Sequence, residues 1–204
     1  MAINFERTAF TGNMDAFWRR EVEMFPAGFK PLQAFPVGEV IRRGAFLQVD
    51  VDKMEAVVVK VGQVLDGGTT TAPRVSKRNN IVPGDALVKV GNTAAKATVK
   101  SVDRTNPEFD VITLAAAFTG LAKGDYLVEG KDVKAGETTT YEPAYTPNAV
   151  LGADLEIRNS GLPTIDAAYG AIVLKSVCPP FPASWLVDGG YCLKTNHSIK
   201  YINQ

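Results

Sequence analysis

A single histidine, His197, limits the reactive chemistry this chain can do within one subunit. A two-histidine catalytic pair or a histidine-built metal site is excluded. Cys192 lies five residues before His197, but a nucleophilic cysteine needs a positioned base and a third orienting group, and at this spacing on a turn the pairing reads as accidental. Asp50 and Asp52 stand two apart and would share one face of a strand, as a pair holding Ca²⁺ would. No third ligand follows at a suitable spacing, so they read as the water-facing end of a strand. Asp103 and Asp110 flank another turn. Asp66-Gly67-Gly68-Thr69 lacks the lysine and the spacing of a phosphate-binding P-loop. Pro179-Pro180-Phe181-Pro182 is a stiff extended tract, suited either to an aromatic groove or to covering an edge of its own domain. Asn196-His197-Ser198 matches a glycosylation sequon, which matters only in a secreted chain. The sequence thus reads as a non-enzyme, with no cofactor site and no metal site.

The bulk composition points the same way. The chain has 204 residues, 46% of them hydrophobic and 22% charged, which suits a globular protein with a substantial core. Its 22 basic and 22 acidic residues cancel, which argues against non-specific nucleic-acid binding. Lys77-Arg78 reads as a solvated pair on a turn. Cys178 and Cys192 are too few for a disulfide scaffold; one bridge between them is conceivable, and two reduced thiols are the expected state. The N-terminal residues lack a basic stretch followed by an apolar one, and no apolar run approaches the ~18 residues that cross a bilayer. A soluble protein made in a cytoplasm, with no membrane partner, is expected.

The elements that position these residues fall into three regions. Residues 1–36 form an N-terminal arm: Asn13 can cap a helix over residues 14–25, with Met14, Phe17, Trp18, Val22 and Phe25 on one apolar stripe. Pro26 stops it. A helix this short needs packing from outside itself. That packing comes either from the chain's own body or from a neighbouring subunit, and Phe17, Trp18, Val22, Phe25 and Phe29 are the candidate interface residues.

Residues 37–130 are β-like, with strands expected over 45–51, 55–61, 94–102 and 109–114. Val57-Val58-Val59 is continuous rather than alternating, as in a strand buried on both faces. Ile81-Val-Pro-Gly84-Asp85-Ala-Leu-Val-Lys-Val-Gly91 recurs as Leu121-Ala-Lys-Gly124-Asp125-Tyr-Leu-Val-Glu-Gly130. Each copy reads as an apolar pair, a Gly-Asp turn, a short strand and a closing glycine. The glycine supplies φ > 0 and the aspartate can bond nearby backbone N–H groups. About seven short strands in under a hundred residues point to a small β-barrel or sandwich. Residues 131–204 are a C-terminal β unit or extension: residues 131–147 read as a crossing segment, followed by strands over 150–158, 171–177 and 199–202. They either stand as a separate unit or return to complete the first sheet.

The series Val37-Gly-Glu-Val-Ile-Arg-Arg-Gly44, Asp50, Val57-Val-Val-Lys60, Ala72-Pro-Arg74, Lys77 and Gly84-Asp85 resembles head fibre and capsid decoration proteins of tailed phages and prophages. Pro179-Pro-Phe-Pro182, Trp185 and Tyr201-Ile202 resemble the C-terminal portion of that group. The resemblance implies a structural virion protein on the outer surface of the head, a homo-oligomer (a homotrimer) whose partner is the phage major capsid protein. The alternative is a non-catalytic glycan- or host-surface-binding β module, with Tyr141, Tyr145 and Trp185 as its ligand-facing aromatics.

Overall fold

The apolar run at Val57 is where the chain changes sheets. Glu55–Val58 pairs antiparallel with Phe46–Asp50 in one sheet, and three residues later Val61–Gln63 pairs with Tyr126–Ala135 in another. The computed structural model describes residues 17–25, 28–135, 137–159 and 164–203. Ala56 through Val61 are all buried, as a run passing between two packed layers must be.

The first sheet has eight strands. From one edge it runs Cys192–Leu193, Asn196–Ile202, Ala167–Leu174, Ala149–Leu151, Phe46–Asp50, Glu55–Val58 and Lys30–Pro31, and Phe17–Met24 also pairs with Ala167–Leu174. The second sheet has seven, ordered Thr138–Pro143, Tyr126–Ala135, Ala86–Lys89, Lys96–Asp103, Phe109–Leu114 and Arg74–Ser76, with Val61–Gln63 added on Tyr126–Ala135. A small two-stranded sheet joins Val40–Ile41 to Leu155–Glu156.

Successive residues of a strand point to opposite faces, and the core obeys this. Phe46, Val88, Val128 and Val150 enter a shared layer to which both sheets contribute. Their neighbours Leu47 and Leu151 pack on the far face of the first sheet, while Leu87 and Leu127 pack inside the second. The architecture is therefore mainly β and consistent with a sandwich. No closed barrel forms among the described residues. The second sheet curls until Val61–Gln63 nears Arg74–Ser76, but an isolated bridge, Val64↔Val75, stands there in place of a ladder. The polar turn of residues 66–72 and Pro73, which has no N–H, interrupt the pairing.

The expected N-terminal helix is not found. Residues 14–16 lie outside the described ones, and Phe17–Met24 is a strand antiparallel to Ala167–Leu174. The reason lies in its register. Phe17 sits opposite Val173 and Val22 opposite Ala171, so five steps on one strand meet two on the other. This irregularity lets two residues of opposite parity face the same core, which in sequence mimics a helical stripe. A short helix would gain little alone, whereas the strand joins an existing ladder. The strand lies so close that a Cβ on Gly152 would stand 2.0 Å from Met24 Cε.

Both Gly-Asp turns have the expected backbone, with Gly84 at φ +95° and Gly124 at φ +90°. Asp85 accepts from Val82 N at 2.8 Å and Asp125 from Ala122 N at 2.7 Å. The glycine of each turn donates to a valine carbonyl, Val99 or Val64, whose own N–H returns a bond to the aspartate carbonyl. The closing glycines differ. Gly91 has φ +82°, while at Gly130 a Cβ would stand 2.2 Å from Val88 Cγ1.

Tyr126–Ala135 continues past Gly130 and pairs with Thr138–Pro143, so much of the presumed crossing segment is a projecting hairpin. Ala149–Leu151, Ala167–Leu174 and Asn196–Ile202 share a sheet with Phe46–Asp50, so the C-terminal residues complete the first sheet. No helix among the described residues is long and apolar enough to cross a membrane.

Candidate functional site: a buried ion cluster and a basic cleft

Lys60 stands where the chain crosses between sheets, and it is only 2% exposed. Its ammonium lies 2.5 Å from Asp85 Oδ1 and 3.7 Å from Glu129 Oε2. Gln33 completes the cluster, donating to Glu129 at 2.8 Å and accepting from Val58 N at 2.8 Å. The Phe35 ring covers the ammonium at 5.0 Å. Burial pushes the Glu129 carboxyl above its ordinary value, with Lys60 opposing that shift. Burial likewise raises the Tyr145 phenol, with the charges of Glu129 and Asp85 adding to it. The cluster is closed off from solvent at Lys60, and its chemistry is that of a clamp. It ties the segment around Gln33 and Phe35, the first Gly-Asp turn and the long strand Tyr126–Ala135 to one charge.

A separate cleft of about 450 Å³ is lined by other residues. Five cations, Arg42, Arg43, Lys77, Arg78 and Arg104, line it against two carboxylates, Glu39 and Asp110. Asp110 is buried and holds Lys77 Nζ at 2.6 Å and Asn79 Nδ2 at 2.8 Å. Arg104 donates to Glu39 at 3.1 Å and to Ile81 O at 2.7 Å. Arg42 pairs with Asp154 at 2.8 Å, and the Arg43 guanidinium lies 4.2 Å from the Phe17 ring centroid. Arg78 donates to the Val177 carbonyl, which joins the loop of the second sheet to the chain following the first. Lys77 and Arg78 do stand on a turn, with Arg78 exposed, and each also makes one bond into this wall.

Of the candidate interface residues, Phe17 is 2% exposed and Phe29 fully buried within a single chain. Val22 and Phe25 are partly buried, and Phe25 makes an edge contact with Phe29 at 5.2 Å between ring centroids. Trp18 lies in the same strand, and its side chain is outside the described residues. Tyr141, Tyr145 and Trp185 are partly buried against the shared core, Trp185 meeting Phe46 at 5.2 Å. Asp50 caps its own turn, accepting from Lys53 N at 3.1 Å and pairing with Lys53 Nζ at 3.0 Å. Asp103 accepts from the Thr105 N–H and hydroxyl. Cys178 and Cys192 are free thiols; Cys192 faces Lys200 across its hairpin, while His197 is exposed further along the same strand. Burial pushes the Cys178 thiol up to about 12. No group of three or more metal-ligating side chains occurs among the described residues.

Lys60, Glu129, Gln33 and Asn80 were not singled out from the sequence. One signal was present for Lys60: a lysine inside the run Val57-Val-Val-Lys60-Val61 must either break a buried strand or be paired. Its partners at 85 and 129 carry no such mark. Comparison with known protein families, with curated proteins and with solved structures finds no match for this chain.

Proposed function

We propose that the chain is a structural virion protein, a head fibre or capsid decoration protein, that acts by assembly and not by catalysis. On this reading it is made in the bacterial cytoplasm and binds the phage major capsid protein on the outer surface of the head as a homo-oligomer, a trimer. The resemblance of the Val37–Gly44 and Pro179–Tyr201 motifs supports it. The observation that carries it is the placement of Phe17–Met24. Among the described residues this eight-residue strand has one strand partner, Ala167–Leu174, and so lies at a sheet edge. An edge strand offers unpaired backbone groups to another chain. On a capsid, repetition of even weak contacts adds up to firm attachment.

The aromatics that would serve a glycan-binding module are packed on the protein's own core, so no observation favours that second reading. The test is sedimentation of the full chain alone and with phage heads lacking decoration. An oligomer that co-sediments with heads supports the proposal. A species of 21.9 kDa at all micromolar concentrations, absent from the head pellet, overturns it.

A further inference from the structure

We propose that Lys60 and Asp85 become joined by an amide bond, a modification in which the Lys60 amine attacks the Asp85 carboxyl carbon and Glu129 relays the protons. The chain performs this reaction once, upon itself, and the proposal does not depend on the virion reading.

The first ground is position. Lys60 Nζ lies 2.5 Å from Asp85 Oδ1, so the nitrogen already stands against the carboxyl group it attacks. Asp85 is held from its other side: Oδ2 accepts from Val82 N at 2.8 Å, in a turn shaped by Gly84 at φ +95°. That N–H stays aimed at Oδ2 as negative charge builds there during attack. Oδ1, on the lysine side, is the oxygen that departs.

The second ground is a third group in place. Glu129 Oε2 lies 3.7 Å from Lys60 Nζ, and Gln33 anchors it at 2.8 Å. Burial raises the Glu129 carboxyl against the opposing charge of Lys60, which suits a group that accepts a proton and passes it on. The balance closes without a co-reactant. An N–C bond forms and the Cγ–Oδ1 bond breaks. Two ammonium protons leave with Oδ1 as water, relayed by Glu129, and the third stays on the amide nitrogen.

The third ground is burial. The Lys60 and Asp85 side chains are 2% and 9% exposed, and the Phe35 ring centroid lies 5.0 Å from the ammonium. A buried ion pair bears a desolvation cost that a neutral amide lacks, and excluding water disfavours hydrolysis of the product. The second Gly-Asp turn is an internal control. Asp125 meets Lys89 at 2.8 Å, but both side chains are more exposed, and no second carboxylate pairs with Lys89 among the described residues. The Lys60–Asp85 ion pair is the state before reaction, and the effects of its charges on stability belong to that unlinked chain.

Intact-mass measurement of the folded full chain, followed by proteolysis and fragment sequencing, tests this. The expected mass is one water below that calculated from the sequence, with or without Met1. A branched peptide should join Lys60 to Asp85, while Lys89 and Asp125 stay unlinked. Lys60→Arg should restore the calculated mass. Glu129→Gln, shown to be folded by circular dichroism, should link roughly a hundredfold more slowly. The calculated mass persisting in folded parent protein held for a day, or a water loss that maps elsewhere, would overturn the proposal. Linkage in Glu129→Gln as fast as in the parent would overturn the role given to Glu129.

Discussion

The two Gly-Asp turns share one backbone geometry and differ in what surrounds the aspartate. Asp85 is paired with Lys60, and their side chains are 9% and 2% exposed; Asp125 is paired with Lys89, at 21% and 23%. The first turn therefore sits at the joint between the sheets and the second at the rim of one sheet. A local motif can be duplicated with its hydrogen bonds intact while its electrostatic role is set by where the fold puts it. In the buried copy, removing the lysine leaves two carboxylates without their cation in a low-dielectric site. In the outer copy, water takes up the difference.

The largest expected effect breaks the comparison at the lysines. Lys60→Met keeps most of the volume but leaves Asp85 and Glu129 without their cation, and should cost about 3–5 kcal/mol. Lys89→Ala should cost at most about 1 kcal/mol, because its pair is partly solvated. Denaturant unfolding of both variants checks this; equal losses would mean the two turns are electrostatically alike. The glycines should behave the other way, as equals. Neither Gly84 nor Gly124 has an atom within 4 Å of an added Cβ, so Gly84→Val and Gly124→Val should each cost about 1–3 kcal/mol through backbone strain alone. Matched falls in melting temperature are expected, and unchanged melting in both would show that the turns bear no strain.

The smallest effect concerns pH. The folded Glu129 carboxyl titrates above its ordinary value of 4.5, so the folded state holds that proton more tightly than the unfolded chain does. Its contribution to stability is fully present below 4.5 and is lost as pH rises through the raised folded value. Glu129→Gln should flatten this part of the curve and be no less stable than the parent near neutrality. Urea midpoints measured from pH 4 to 7 on both proteins read the slope; identical slopes would rule out Glu129 as its source.

Legibility followed sequence distance. The bounds of Phe109–Leu114 and the glycine φ values were readable because they depend on residues within a few positions. Phe17–Met24 was misread because its conformation is decided by Ala167–Leu174, about 150 residues away, and its irregular register imitates a helical stripe. The cleft was not readable at all. Arg42, Lys77 and Arg104 look like surface charges until two sheets bring them to one wall.

Turn chemistry, strand alternation and the absence of a histidine pair belong to the sequence by itself, since each rests on residue type and local spacing. Tertiary structure alone decided that the C-terminal strands join Phe46–Asp50, that Lys60 meets Asp85 and Glu129, and that Arg78 reaches Val177. The physical reason is that burial and charge pairing depend on which distant surfaces the core brings together. Neither leaves a periodic trace in the chain.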